Sequence, residues 1–332
     1  MERASVKIYT MAHKAFLLPP DKLYVPLLCG AGCVSEDGRK RSALPGTEEY
    51  LRDDSGENIS LKNPYYSELT GLYWAWKNDK DSDILGLAHY RRFLLDDRGM
   101  IFDKCHIEQV LNEYDIITTK QIILDHPYEE AFGGKHAPKD FRILRDVISL
   151  RYPEYLDIFE EVSSGTHTYF ANMMIAGRNV FDAYCEWLFD ILFSMEKRVD
   201  MTGYNDYQKR LYGFVSELLL MVWIRYKGLK VKECSVAVIG EKKETGEALK
   251  KIEAFLRQKD LQGAAQYFMD LYGKRPDILM DASDINGELK RMVMLIQRLL
   301  KDVEDTGRSY LDEETDLHRL MDHYGLQRAR IN

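Results

Sequence analysis

Two periods alternate along this chain, and the switches between them mark out its elements. Tyr65, Leu69, Leu72 and Trp76 recur at spacings of four, three and four, which predicts a helix packing that stripe on a core. Tyr66, Thr70, Tyr73 and Lys77 share a second face that is left for a ligand. Asn63 is the expected N-cap and Pro64 the first helical residue, because Asn accepts from an orphan helix N–H and Pro has none to lose. A polar stretch from Asn78 to Asp83 ends the helix, and Ile84 to Ala88 follows as an unbroken apolar run, the mark of a strand covered on both faces.

The same reading gives strands at Val6–Met11, Tyr24–Cys29 and Tyr114–Thr118, and one at Thr168–Ala176 with Asn172 as its polar centre. A buried Asn costs free energy unless it is bonded, so Asn172 either ties the sheet to a loop or meets a ligand. Helices are expected at Ile107–Leu111, Lys139–Leu150 and Pro153–Glu161, at a long stretch capped by Asn179, and from about Gln208 to Tyr226 with Gly228 as its stop. A strand or strand pair at Leu229–Ile239 closes the sheet. Beyond Gly240 only helical stripes remain: Ala248, Ile252, Phe255 and Leu256, then Ile285, Leu289, Met292, Val293, Ile296, Leu299 and Leu300, then Leu317 to Met321. Residues 35–58 read as a polar surface loop holding Asp53 and Asp54. Residues 120–140 are long and irregular enough to suggest a lid or binding loop. The expected division is 1–240 for an α/β domain and 241–332 for a helical region.

Chemistry gathers where strands end. His89, Tyr90, Arg91 and Arg92 follow the Ile84–Ala88 strand, and open α/β sheets bind ligands beyond the carboxyl ends of their strands. Paired arginines there match a diphosphate through bidentate bonds, although they could instead pair with Asp83, Asp96 or Asp97. His13 and Lys14 follow the first strand and are candidates for the same phosphates. Gly30-Ala31-Gly32 follows the second and permits close backbone approach, without forming a dinucleotide fingerprint. Glu217 is the one charge between Phe214 and Ile224 in a segment apolar nearly all round. Burial would raise its pKa towards that of a working proton acceptor, unless it merely pairs with Arg210.

With 332 residues, 45% of them hydrophobic and 30% charged, the chain reads as ordinary globular protein with room for two domains. A net charge of −8 excludes a nucleic-acid-coating surface. Five scattered cysteines suit reduced thiols, and Cys29 with Cys33 lacks the second pair a zinc site needs. Asp79, Asp81 and Asp83 open like a calcium loop, but the required glycine is missing and Tyr90 stands where the closing Glu belongs. Phosphate-loop, serine-hydrolase and zinc-protease motifs are absent, as is any apolar run of 18 residues.

The phrases KIYTMAHK, NPYYSELTGLYWAWKN, ILGLAHYRRFL, NMMIAGRNVFDAYCEWLFDIL and GFVSELLLMVWI together resemble a bacterial family of capsular and exopolysaccharide biosynthesis proteins, over residues 5 to 240. The resemblance implies a GT-A-like (Rossmann-like) mixed central sheet flanked by helices, with the helical C-terminal appendage outside it. It also implies a glycosyltransferase that moves a sugar from a nucleotide diphosphate, with a uridine diphosphate sugar favoured, to a polysaccharide or lipid-linked oligosaccharide acceptor. The expected location is the cytoplasm, at or near the inner face of the membrane, with peripheral membrane association or a homodimer as further expectations.

Carried onto this chain, the resemblance implies donor contacts from His13, Lys14, Asn63, Tyr66, Tyr73, Tyr90, Arg91, Arg92 and Asn172. It implies catalysis by Glu217 as base, together with His89. HYRR stands where such enzymes carry an Asp-x-Asp metal motif. The arginines would then neutralise the leaving diphosphate, or Asp96 and Asp97 would hold Mn2+ or Mg2+. A non-catalytic sugar-binding protein on the same fold and a sugar-phosphate transferase are the alternatives.

Overall fold

The strand pattern resolves into a sheet because alternate residues serve two different cores. The computed structural model describes residues 4–34, 38, 40–41, 44–134, 136–239, 243–279, 284 and 286–327. Its strands are β1 (Val6–Ala12), β2 (Tyr24–Leu28), β3 (Leu51–Arg52), β4 (Ile84–His89), β5 (Arg92–Leu94), β6 (Ile116–Thr119), β7 (Ile122–Ile123), β8 (His167–Thr168), β9 (Met174–Gly177), β10 (Val231–Cys234) and β11 (Val236–Val238). The main sheet runs β10-β6-β9-β4-β1-β2-β3, with β5 pairing β4 and β11, while β7 and β8 form a separate two-stranded sheet. β1 pairs β2 and β4 in parallel, β2 pairs β3 in parallel, and β6 pairs β10 in parallel. β9 lies antiparallel between β4 and β6. Its amino end therefore reaches the edge where β1, β2, β4 and β6 present their carboxyl ends.

One face of the sheet sends Tyr9, Met11, Leu85, Leu87, Met174 and Ala176 into a large core under the helices Leu69–Asn78, Pro138–Arg151, Arg178–Glu196 and Leu211–Lys227. The other sends Ile8, Ile84, Ala88 and Ile175 against Phe93, Phe102 and Ile107. Gly86 is required at the crossing, since a Cβ there would meet Ile175 Cγ1 at 2.8 Å and the Met174 carbonyl oxygen at 3.1 Å. The mixed central sheet with flanking helices and a helical C-terminal part is the expected architecture.

Contacts divide the chain into two compact units, Met1–Ala237 and Val238–Asn332. The second is built from the helices Lys243–Arg257, Leu261–Lys274, Glu288–Thr306 and Leu317–His323. Ala248, Ile252, Leu256, Leu289, Met292, Ile296 and Leu299 fill its core, as their spacing predicts. Ile285, the first residue of the expected stripe, lies outside the described residues, as does part of the 35–58 loop. Among the described residues no helix is long and apolar enough to cross a membrane.

Several local expectations are corrected. The helix expected from Pro64 is two, Asn63–Tyr66 and Leu69–Asn78, broken at Ser67, whose φ is 50°. The break resets the register: Tyr65 is exposed, whereas Thr70 and Tyr73 are buried. Asn63 sits inside the first helix rather than capping it, and its amide donates to the Ser67 carbonyl at 2.7 Å, closing the broken end. Gly177, not Asn179, occupies the N-cap of the long helix. The helix expected from Gln208 is interrupted at Arg210, and its main part ends with Gly228 in the left-handed conformation at φ 61°, as expected of a C-terminal glycine. The irregular 120–140 region carries β7 and a short helix, Tyr128–Gly133.

Asp79, the first residue of the failed calcium pattern, ties the sheet to its helices. Its Oδ2 accepts from Tyr9 at 2.7 Å, Ser82 at 2.7 Å and Lys7 at 3.2 Å. Its Oδ1 accepts from Arg178 at 2.9 Å and from the Ser82 backbone N–H at 3.0 Å. Burial alone would raise the carboxyl's pKa, but these donors outweigh it and hold the group well below the usual carboxylate range. The stabilisation is therefore complete above the ordinary value of 3.8 and is lost as pH falls below it. Asp79→Ala should cost roughly 3–5 kcal/mol, since it removes the one buried carboxylate on which Tyr9, Ser82, Lys7 and Arg178 converge, and should raise the midpoint pH of acid unfolding. A urea titration at pH 7 checks the first effect, and an acid titration carried from pH 5 to pH 2 checks the second.

Candidate active site

At the carboxyl edge β4 does not end in a loop. His89 pairs with Arg92 in the antiparallel β4–β5 contact, so Tyr90 and Arg91 form the tip of a two-residue hairpin. The Tyr90 backbone N–H donates to the Met11 carbonyl at 3.0 Å, which sets the tip beside the end of β1. There the His13 and Tyr90 rings meet edge-on at 4.9 Å, and Lys14 Nζ lies 5.4 Å from the centre of the Tyr90 ring. Arg91 is buried. Arg92 is partly buried, with its guanidinium 5.0 Å from the Phe170 ring. Burial lowers the Arg92 pKa, while Glu217 and Glu68 restore part of it. The hairpin thus brings His13, Lys14, Tyr90, Arg91 and Arg92 to one edge.

The approach to β9 departs from the sequence reading. The strand expected at Thr168–Ala176 is interrupted, and Ala171 and Asn172 both adopt left-handed backbone, with φ of 70° and 52°. Asn172 is therefore not a mid-strand residue. The reversal turns the backbone polar groups of Ala171 outward from the ladder. Its carbonyl accepts from His89 Nε2 at 2.6 Å, and its N–H donates to Glu217 Oε1 at 2.9 Å. A carbonyl only accepts, so Nε2 carries the hydrogen and Nδ1 is the acceptor of a neutral ring. Burial, opposed by Glu68 and reinforced by Arg92, keeps the His89 pKa below its ordinary value.

Glu217 stands on the Leu211–Lys227 helix and makes no ion pair among the described residues, so in place of the alternative pairing with Arg210 there is a longer-range attraction. Burial and then the charge of Glu68 push its pKa up to about 8, against the Ala171 N–H, Arg92 and Arg210. Arg210 Nε donates to Ser67 Oγ at 3.1 Å. Asn172 donates through Nδ2 to Glu68 Oε1 at 2.8 Å and to the Gly213 carbonyl at 3.1 Å, while its Oδ1 is buried with no donor among the described residues. Glu68 joins the cluster without having been singled out in the sequence, and Arg210, named there only as an alternative ion-pair partner for Glu217, joins it through Ser67. The signal was there for Glu68, a charge inside the NPYYSEL phrase next to two candidates.

Other candidates stand apart from this cluster. Tyr66 is fully buried against Tyr212 at 4.5 Å, its hydroxyl bonded to Glu196, so the face expected to meet a ligand is core. Tyr73 is likewise packed, its hydroxyl donated to Glu57 at 2.7 Å. Asn63 Oδ1 accepts from Arg41 at 2.6 Å, beneath Gly30. The Gly30 and Ala31 N–H groups donate to buried Asp53 at 2.7 and 2.9 Å, and the Gly32 N–H to Ser60 Oγ, so this glycine turn spends its donors internally. Asp96 is held by Arg98 and Asp97 by Lys232. No group of three His, Cys, Asp or Glu side chains that could hold a metal ion occurs among the described residues.

The family described as Domain of unknown function (DUF4422) matches residues 7–228. The chain belongs to the DUF4422 family. The match runs from β1 to the glycine that ends the Glu217 helix, so the DUF4422 region contains every residue of the cluster and stops short of the C-terminal helices. No curated protein matches this DUF4422 chain. Among solved structures it is similar to the apo form of WbbM, a bifunctional glycosyltransferase, with a TM-score of 0.58 and 28% identity. The alignment covers 71% of this chain and 46% of that one, so the DUF4422 chain corresponds to less than half of WbbM.

Proposed function

We propose that the chain is a glycosyltransferase that moves a sugar from a nucleotide diphosphate, a uridine diphosphate sugar by preference, to a hydroxyl of a polysaccharide or lipid-linked oligosaccharide acceptor. Such acceptors belong to capsular or exopolysaccharide assembly, carried out in the cytoplasm at the inner face of the membrane. The observation that carries this reading is the double clasp of Ala171, which holds a carboxyl of raised pKa and a neutral imidazole together at the carboxyl edge of the sheet, beside Arg92. Likeness to a bifunctional glycosyltransferase supports it.

In the proposed reaction the acceptor oxygen bonds to the anomeric carbon as the bond from that carbon to the diphosphate oxygen breaks. The acceptor proton passes to Glu217, and the bonding pair leaves with the nucleoside diphosphate. Arg91, Arg92, His13 and Lys14 are assigned to the diphosphate, whose growing charge they stabilise in place of a metal. Tyr90 is assigned to orienting His13 and Lys14. The orphan Oδ1 of Asn172 is assigned to a sugar hydroxyl, which supplies the donor it lacks. Tyr66, Tyr73 and Asn63 are given no ligand role.

The test is nucleotide release from a panel of uridine, guanosine and thymidine diphosphate sugars, with soluble oligosaccharide acceptors, in EDTA and in manganese. Acceptor-dependent release of a nucleoside diphosphate from one donor, undiminished by EDTA, is expected. Release of a nucleoside monophosphate would instead identify a sugar-phosphate transferase. Sugar binding without turnover on any donor would replace the enzyme by a binding protein.

A further inference from the structure

Two consecutive left-handed residues that are not glycine are strained and persist only where their surroundings over-determine them. Ala171 and Asn172 are such a pair, and Ala171 brings a Cβ that gains nothing from this conformation. The backbone bonds of Ala171 go to His89 and Glu217, the groups whose placement the turn controls. What fixes the turn is the side chain of its second residue. Both hydrogens of the Asn172 amide are committed, one to the Gly213 carbonyl at the start of the Glu217 helix and one to Glu68. Glu68 belongs to a different segment, just after Ser67, itself left-handed and bonded through its hydroxyl to Arg210. One carboxylate therefore ties the β9 approach to the segment between the two short helices.

We infer that Glu68 is a positioning residue of this site: by accepting from Asn172 it locks the left-handed Ala171–Asn172 turn, and through that turn it sets where Glu217 and His89 stand. Its charge has a second effect at the same place. The charged and titratable groups that face Glu217 are Glu68, Arg92, Arg210 and Tyr128, and of these Glu68 and the two arginines act on it in opposite directions. Glu68→Gln keeps an acceptor oxygen for Asn172 and removes the charge. Glu68→Ala removes both.

The kinetic part of this inference rests on the proposed glycosyl transfer; the structural part does not. The test is a double-mutant cycle of Glu68→Ala and Asn172→Ala, with Glu68→Gln alongside, read by kinetics and by thermal unfolding. Glu68→Ala should lower kcat by about 30-fold with the donor KM changed less than threefold, and the double variant should be no worse than the weaker single one, because the first residue acts through the second. Glu68→Gln should keep kcat within about fivefold and move the inflection of the kcat/KM against pH profile downward, since a negative neighbour of Glu217 is gone. Kinetic losses that multiply in the double variant would overturn the inference, as would an unmoved pH profile in Glu68→Gln. If the wild-type chain turns over no donor, the proposed function fails. The unfolding cycle then still decides this point, with Tm losses that overlap supporting the lock and Tm losses that add removing it.

Discussion

Glu217→Gln should lower kcat by about 10³-fold while leaving nucleoside diphosphate affinity within a few-fold of wild type. Glutamine keeps the oxygen that accepts from the Ala171 N–H, so the turn and the helix stay in place and only the capacity to take a proton is lost. The pH dependence has a definite sign. With a pKa near 8, Glu217 is protonated in most molecules at pH 7, and a base must be ionised to act. The kcat/KM of the wild-type chain should therefore climb about tenfold per pH unit below 8 and level off above it.

Stability runs the other way. Between the ordinary carboxyl value of 4.5 and about 8 the folded chain holds a proton that the unfolded chain has released, so folding weakens as pH rises through that window. Glu217→Gln should abolish this slope, gaining on the order of 2 kcal/mol at pH 9 once residual solvent contact is allowed for. A variant that loses activity and flattens the stability profile marks Glu217 as the titrating group. One that keeps wild-type activity within tenfold removes it as the base.

The parts of this site that the sequence announced are those with one bland alternative and a strong period around them. Glu217 stood out because its helix is apolar on nearly every side, so a lone carboxylate there had to be either paired or used. His89 and the arginines stood out because a continuous apolar strand ended at them. What the sequence concealed was backbone geometry. Thr168 to Ala176 is apolar enough to read as one strand, and nothing in an Ala-Asn pair announces two left-handed residues; the reversal comes from bonds to His89, Glu217 and Glu68, residues 46 to 104 positions away for the bonds to Glu217 and Glu68. The aromatic helix misled in the opposite direction. A period of 3.6 separates two faces but cannot say that both are covered, and the break at Ser67 changed which tyrosines turned inward. Glycines 30 and 32 misled because only the tertiary position of Asp53 and Ser60 shows their N–H groups already spent.

Arg92→Ala should weaken nucleoside diphosphate binding by about 100-fold, with nucleoside binding changed far less. Charge-assisted bonds to a phosphate contribute roughly 1.5–3 kcal/mol apiece, and Arg92 is pre-placed by its strand pairing with His89 and by the Phe170 ring. Arg91→Ala, at the hairpin tip, should give a loss in the same direction, which titration calorimetry with uridine, guanosine and cytidine nucleotides would measure. Arg92 also faces Glu217 and lowers its pKa, so the same substitution should move the activity profile to higher pH, opposite to the shift expected from Glu68→Gln. The two effects separate binding from catalysis: affinity falls at every pH, and the inflection rises. Manganese supplies the remaining discrimination. Because Asp96 and Asp97 are already held by Arg98 and Lys232, added metal should neither strengthen wild-type binding nor rescue Arg92→Ala. Rescue of the variant by manganese would show that a cation, and not the HYRR hairpin, carries the diphosphate.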